Sequence, residues 1–319
     1  MNASPKAVLY WSSTMLDNTA NLDQQLEATG SSGFNDILLF ALHVNQPVEN
    51  RKDIVLGDLS WNETLLVSTQ TGEAVFDPTN SFTKLEGRLK ALVAAGKKIF
   101  FTIGSAPDPN HPERAGDFAT IKELFSTFEG QDLLQNNFGL LLHELPSVTG
   151  FDFDVEDCFD VESTAWLTEV LAVKFKAAIT YCPYEWDSPS GKPFWKPLLE
   201  LVYQNLNTQP VAWFNLQCYS GGFGQIPTDW KKDIEADKDK NGVADPSTFI
   251  VPGYPANNKN GDARGICPSD FTTELTPYKG NVGGAFVWNS HNIFDIPAPC
   301  DGSIPSVNDY ATAITNALQ

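Results

Sequence analysis

Short apolar runs of strand length alternate along the chain with segments whose apolar positions recur at helical spacing. Ala7 to Trp11 is the first run. Leu22 and Leu26, four apart, then mark a helical face that stops at Gly30. Ile37 to Ala41 is the second strand. Residues 43–80 form a long insertion, in which Val55, Leu56, Leu65, Val67, Val75 and Phe76 predict a β-hairpin-like element. Leu85, Leu89, Leu92 and Val93 predict a helix closed by Gly96, and Lys98 to Ile103 a third strand. A helix over 116–145, with Phe118, Ile121, Leu124 and Phe125 in phase, leads to a fourth strand at Gly150 to Val155. The alternation continues with a helix from Glu162 to Val173, a strand from Ala177 to Cys182, a helix over 194–206 and a strand from Val211 to Tyr219. Trp230 to Ala236 is read as part of the sixth helix. Phe249 to Val251 opens the seventh strand, and a short helix covers 269–278. Gly283 to Trp288 is the eighth strand, and Asp309 to Leu318 the last helix.

Strands alternating with helices imply parallel pairing through right-handed crossovers. Eight units in 319 residues fit one α/β domain over 1–319, a single (β/α)8 TIM barrel with the hairpin-like insertion after its second strand. The rival, a doubly wound open sheet, lacks a G-x-G-x-x-G turn after the first strand.

The fourth strand carries the candidate chemistry. It reads Gly150-Phe151-Asp152-Phe153-Asp154-Val155-Glu156-Asp157. Side chains alternate faces with period two, so Asp152, Asp154 and Glu156 share one face and Phe151, Phe153 and Val155 the other. In a barrel the acidic set faces inward. Three carboxylates there resist joint ionisation, and a purely structural role needs buried cations. The cost makes chemical sense if one proton must be held at neutral pH, with Glu156 kept protonated as a general acid at the carboxyl end of its strand. The alternative is a wet or metal-binding acidic strand end, extended by Asp157 and Asp160.

Composition narrows the partners. The 21 Lys+Arg against 40 Asp+Glu give a formal net charge of −19, which argues against nucleic acid and anionic membranes. A neutral sugar is unaffected. No apolar run of about 18 residues exists, so no membrane span is expected. The polar start, Met1 to Lys6, has no n-region and h-region. Few charges, many aromatics and the sequon Asn62-Glu63-Thr64 lean toward a secreted protein whose signal peptide is already removed.

The acidic strand resembles the D-G-x-D-x-D-x-E signature of glycoside hydrolase family 18, the chitinase and endo-β-N-acetylglucosaminidase family. Three further segments are similar in the right order. Lys98 to Ser105 resembles the third-strand S-x-G-G pattern, with Thr102 and Ser105 as departures. Leu216-Gln217-Cys218-Tyr219-Ser220 resembles the Q-x-Y-N segment of plant class III-like chitinases, and Gly283 to Trp288 the eighth-strand segment ending in tryptophan. Tyr10-Trp11 and Cys182-Pro183-Tyr184 also resemble class III members. Thr149 replaces the leading Asp of the signature, and Ser220 the Asn after the tyrosine.

The resemblance implies a retaining, substrate-assisted hydrolysis of β-1,4 bonds beside N-acetylglucosamine, without metal or organic cofactor. Glu156 would protonate the leaving oxygen, while the substrate's own acetamido oxygen attacks the anomeric carbon. Asp154 would hold the acetamido N–H and Asp152 would tune Asp154. Tyr219 would donate to the acetamido oxygen, Trp288 would floor the sugar, and Gln217 and Tyr10 would add contacts. The expected partner is chitin or another N-acetylglucosamine-containing oligosaccharide, bound by a monomer. An endo-β-N-acetylglucosaminidase acting on N-glycan chitobiose cores and a non-catalytic chitinase-like lectin are the alternatives. Trp11, Trp61 and Trp186 are candidate outer platforms.

Two other patterns stand out. Asp237, Asp239, Asn241 and Asp245 match positions of a calcium loop with Gly242 sixth, but Thr248 occupies the position of its bidentate Glu. The alternative is a turn-rich acidic loop. Of five cysteines, Cys182 near the end of the fifth strand is a candidate partner for Cys218 on the sixth, and Cys267 with Cys300 would join the last two loop regions, one choice among fifteen two-bridge arrangements; no CxxC zinc pattern occurs.

Overall fold

Eight parallel strands close on themselves. They are β1 (Lys6–Trp11), β2 (Asp36–Val44), β6 (Lys98–Ile103), β7 (Val148–Phe153), β8 (Ala178–Tyr181), β9 (Val211–Gln217), β10 (Ile250–Pro255) and β11 (Gly284–Trp288). Each pairs with the next in chain order, and β11 returns to β1. The computed structural model describes residues 4–12, 15, 21–45, 55–61, 64–69, 75–76, 82–106, 116–261 and 264–319. The insertion appears as β3 (Leu59–Trp61), β4 (Thr64–Ser68) and β5 (Val75–Phe76), which run antiparallel outward from the end of β2. The expected barrel and its insertion are therefore both present.

The outer layer is α1 (Leu22–Ser31), α2 (Phe82–Ala94), α3 (Asp117–Phe125), α4 (Phe128–Glu144), α5 (Val161–Glu169), α6 (Trp195–Leu206), α7 (Pro227–Ala236), α8 (Lys238–Asn241), α9 (Pro246–Phe249), α10 (Pro268–Leu275), α11 (Ser290–Phe294) and α12 (Val307–Leu318). Among the described residues no helix is long and apolar enough to cross a membrane.

Strand parity divides the core in two. Leu9, Trp11, Ile37, Leu39, Phe101, Phe151, Phe153, Tyr181, Phe214 and Leu216 pack between barrel and helices. Val8, Tyr10, Leu38, Phe100, Cys182, Trp213, Tyr219, Val251 and Phe286 fill the barrel. Two interior glycines make room for rings. A Cβ on Gly150 would sit 2.3 Å from the Phe100 ring, and one on Gly253 2.1 Å from that of Phe286.

Several sequence expectations need correction. Val55 and Leu56 do not belong to a strand. The Asp58 carboxylate accepts from the backbone N–H of Val55 and of Thr69, which ties a turn there and delays the strand to Leu59. The helix expected over 116–145 is two helices, because Thr127 ends one and caps the next by accepting from the Gly130 N–H at 3.1 Å. Val93 lies off the buried face of α2.

The cysteine expectation is half right. Cys267 and Cys300 form a disulfide, whereas Cys158, Cys182 and Cys218 are free. Cys182 faces the barrel interior and Cys218 the helical layer, so the two thiols lie on opposite faces of the sheet and cannot meet. Asn62, the acceptor of the sequon, lies outside the described residues.

Candidate active site

The inward parity of β7 continues past its last hydrogen-bonded residue. The Asp154 N–H still donates to the Ile103 carbonyl at 2.9 Å, so the backbone stays extended and Asp154 keeps the face of Asp152. Asp152 and Asp154 are buried, and Glu156 is half-buried at the mouth. The three carboxylates thus grade from dry to solvent-facing along one column. Among the described residues no basic side chain pairs with any of them. The buried cations that a structural role would need are not there.

Neutral donors hold the column instead. Register sets Thr102 and Thr180 directly beside Asp152 on the two neighbouring strands. Asp152 accepts from Thr180 Oγ1 at 2.6 Å, Tyr10 Oη at 2.7 Å, Asn215 Nδ2 at 2.9 Å and Thr102 Oγ1 at 3.3 Å. The Asn215 carbonyl is fixed by the Trp213 Nε1–H at 2.8 Å, which aims the amide N–H at the carboxylate. Burial raises the Asp152 pKa, and these four donors oppose the rise.

Asp154 and Glu156 form a pair. Gln217 Nε2 bridges them, 2.9 Å from Asp154 Oδ1 and 3.3 Å from Glu156 Oε1. Burial raises both. For Asp154 the charges of Glu156 and Asp152 push further in the same direction. Two carboxyls this close resist joint ionisation, and Asp154 is the drier and more crowded of the two.

The aromatic residues come together around this pair. Tyr219 and Trp288 stack with ring centroids 6.1 Å apart, and Tyr10 lies 5.3 Å from Trp288. Phe40 meets the Trp288 ring edge-on at 4.7 Å. The Tyr219 hydroxyl has no protein hydrogen-bond partner among the described residues, and burial keeps it protonated. It is a donor with nothing yet to donate to.

Glu156, Asp154, Asp152, Tyr219, Trp288, Gln217 and Tyr10 thus lie together inside the barrel, from the fully buried Asp152 and Tyr10 up to the half-buried Glu156 and Trp288. Gln217 and Tyr10 are occupied differently from expectation, since both bind carboxylates rather than open space. Thr149 is exposed at the other end of β7, so its replacement of the motif's leading Asp does not touch the column.

Sequence reasoning passed over Thr180 and Asn215 and read Thr102 only as a departure. All three are polar residues at inward strand positions, and that parity was the available signal. Tyr184 was also left out. It sits just past β8 against Gly221, and burial together with the nearby Glu156 charge pushes its phenol up to about 12.

Other candidates do not join the site. Trp11 and Trp61 are fully buried on the outer side of the barrel, and Trp186 stacks on Trp230 at 3.8 Å. The residues of the calcium-like loop are each engaged elsewhere or exposed. Asn241 turns inward, donating to the Ile234 carbonyl and accepting from the Val243 N–H. Asp237 pairs with Lys240 and Lys196, Asp245 caps α9, and Asp239 points to solvent. The four do not converge, and among the described residues no group of three or more His, Cys, Asp or Glu is placed to hold a metal ion.

The buried acids also fix a pH dependence. Asp152, Asp154, Glu156 and Asp157 all have folded pKa values above their unfolded ones, that of Asp157 pushed by burial to about 6. Such groups favour the folded state fully below the unfolded value near pH 4, and that contribution is lost as pH rises through the folded value. Asp160 and Asp245 act oppositely, since their hydrogen bonds lower them. With seven raised carboxyls, these four together with Asp36, Asp58 and Glu169, against two lowered ones, the melting temperature is expected to rise as pH falls from 7.5 to 5. Thermal unfolding across that range checks it, and a fall in melting temperature would contradict the assignment of these carboxyls.

Solved structures agree on the fold. The chain superposes on a GH18 chitinase from Pseudoalteromonas aurantia with a TM-score of 0.61 at 15% identity, over 98% of this chain and 100% of that one. It superposes on the chitinase-like agglutinin RobpsCRA from Robinia pseudoacacia with a TM-score of 0.53 at 10% identity, over 98% and 99%. A β-mannanase from the blue mussel Mytilus edulis gives 0.52 at 11% identity, over 98% and 91%. No protein-family model and no curated protein sequence matches the chain. One barrel thus carries a chitinase, an agglutinin and a mannanase, so the side chains must choose among them.

Proposed function

We propose that the chain is a glycoside hydrolase of the family 18 type that cleaves β-1,4 bonds of N-acetylglucosamine polymers with retention. The observation that carries this is the graded column of Asp152, Asp154 and Glu156 beside the Tyr219 hydroxyl, which has no protein partner among the described residues. A nucleophilic carboxylate is not needed where the substrate brings an acetamido oxygen. The acetamido N–H would donate to Asp154 and stabilise its anion, and an ionised Asp154 keeps Glu156 protonated. Glu156 then faces the leaving oxygen as an acid. Tyr219 would donate to the acetamido oxygen as it attacks the anomeric carbon, forming an oxazolinium ion whose charge Asp154 balances. Glu156, now ionised, takes a proton from the water that opens that ring. Trp288 supplies the floor for the sugar. An intact acid column argues against the lectin reading. The Cys267–Cys300 disulfide supports an oxidising compartment and hence secretion.

One observation favours the narrower activity of an endo-β-N-acetylglucosaminidase. Among the described residues only Phe128 and Phe223 are exposed aromatics. Few bare rings mean few sugar platforms, as a chitobiose core needs. Parallel assays on colloidal chitin, a chitobiose-based fluorogenic substrate and a high-mannose glycoprotein separate the readings. Release from chitin selects the chitinase, deglycosylation alone selects the second enzyme, and binding without turnover of any of them overturns both.

A further inference from the structure

The backbone that carries Glu156 has left the sheet. Pairing of β7 with β6 ends at Phe153, and the Asp154 N–H makes the last backbone bond between them. Among the described residues Val155, Glu156 and Asp157 make no backbone–backbone hydrogen bond to a neighbouring strand. Parity turns Glu156 inward and Asp157 outward, toward the helices. There the Asp157 carboxylate accepts from the Ala119 N–H at 2.8 Å and more weakly from the Phe118 N–H at 3.4 Å. These are the third and second residues of α3, whose N-cap, Gly116, has no side chain to offer them. Asp157 therefore takes, from another element, the acceptor role that a helix normally gives its own N-cap side chain. The fit is close. Gly116 has φ −71° and ψ 168°, a conformation open to any residue, yet a Cβ there would sit 2.2 Å from Asp157 Cγ. The helix end is itself fixed, since Asp117 accepts from the Val44 N–H at 2.7 Å and Phe118 packs on Phe153 with ring centroids 5.7 Å apart.

We propose that Asp157 is a positioning residue that clamps the strand end bearing Glu156 to the N-terminus of α3 and so sets where the acid stands. The inference rests on the role given to Glu156 above and deepens it. Glu156 is then held from both faces of the sheet. Its carboxyl meets Gln217 Nε2 at 3.3 Å on the inside, and the next residue is bound to a helix on the outside. The peptide dipoles of α3 favour a carboxylate at that end. Burial pushes the Asp157 carboxyl up to about 6 while the α3 N–H groups oppose the rise, so it is ionised at pH 7.5. Without the clamp the segment from Val155 to Asp157 is free to shift, and a displacement of about 1 Å at a reacting group costs about 10²-fold in rate. The alternative is that Asp157 caps α3 and nothing more. Its loss would then lower stability without singling out proton transfer to the leaving group.

The test uses variants at pH 7.5. Asp157→Ala removes charge and acceptor, Asp157→Asn removes only the charge, and Gly116→Ala keeps Asp157 but pushes its carboxyl off the helix. On an N-acetylglucosamine oligosaccharide, kcat is expected to fall about 30-fold in Asp157→Ala and in Gly116→Ala, with KM within about twofold. Asp157→Asn should stay within about threefold of the parent, because its carbonyl still accepts. Combining Asp157→Ala with Gly116→Ala should be no slower than the slower single variant, since both break one contact. On a substrate with an activated phenolic leaving group the deficits should shrink to about threefold. In a Glu156→Gln background Asp157→Ala should cost no further activity. An unchanged kcat in Asp157→Ala overturns the proposal. So do equal losses in Asp157→Ala and Asp157→Asn, equal losses on the two leaving groups, or a full further loss in the Glu156→Gln background. If the parent turns over neither substrate, the proposed function falls, and carboxyl-carbon NMR titration of Glu156 then decides the clamp. The Glu156 pKa, raised by burial, should fall further in Asp157→Ala than in Asp157→Asn as the released side chain reaches water, and an equal change in both overturns the clamp.

Discussion

Glu156→Gln is expected to lower kcat on an N-acetylglucosamine oligosaccharide by about 10³-fold, with KM within about twofold of the parent. The amide keeps the shape of the carboxyl, and the Glu156 side chain stands at the solvent-facing end of its column, so the fold has little to lose. What disappears is the proposed proton donor, whose pKa burial raises. The leaving oxygen of a sugar is a poor leaving group without protonation, and the loss should scale with that need. On a substrate with an activated phenolic leaving group the deficit is expected to shrink to roughly tenfold for the bond-breaking step, because little acid assistance is required there. Steady-state kinetics on both substrates, with melting curves to confirm folding, test the assignment. Equal losses on the two substrates would make Glu156 a binding residue. Undiminished turnover would remove it from the chemistry.

The sequence showed the site more clearly than the loops around it. Period-two parity needs only an extended backbone, and it correctly placed Asp152, Asp154 and Glu156 on one face although regular pairing ends at Phe153. The same parity holds on β9 and just past it, where Cys218 faces the helices and Tyr219 the interior. It failed for the Cys182–Cys218 pairing because strand adjacency was used where face should have decided. Helix breaks were less legible. The interruption at Ser126-Thr127 falls in a polar stretch whose one apolar residue, Phe128, is exposed, and the cap geometry of Thr127 defines it. The apparent calcium loop had the right letters, but side-chain contacts determine which way Asn241 turns, and those come from the packed Ile234 and Val243 around it. The donors to Asp152 were hidden for a related reason. Thr102, Thr180 and Asn215 lie on three different strands, and only barrel register brings them to one carboxylate.

That cradle makes Asp152 the residue whose removal should cost the fold most. Asp152→Ala deletes two acceptor oxygens with no solvent exposure and leaves the donors of Tyr10, Thr102, Thr180 and Asn215 facing a void. Each stranded buried donor costs about 1–3 kcal/mol. Two effects reduce the sum. The three hydroxyls can turn toward one another or toward a trapped water, and a desolvated charge is relieved. The Asn215 amide has the least freedom, since Trp213 pins its carbonyl. A net loss of about 4 kcal/mol is therefore expected in urea unfolding at pH 6, with the m-value unchanged. Asp152→Asn should cost less, about 1–2 kcal/mol, because its carbonyl still accepts and the hydroxyls can accept from its amide. This milder variant reports on the chemistry as well. Asp152 is one of the charges that raise Asp154, so neutralising it lowers the Asp154 pKa and moves the acid limb of kcat to lower pH. An alanine variant as stable as the parent would mean that the four donors do not depend on the carboxylate. An acid limb unmoved in Asp152→Asn would mean that Asp152 supports Asp154 sterically rather than electrically.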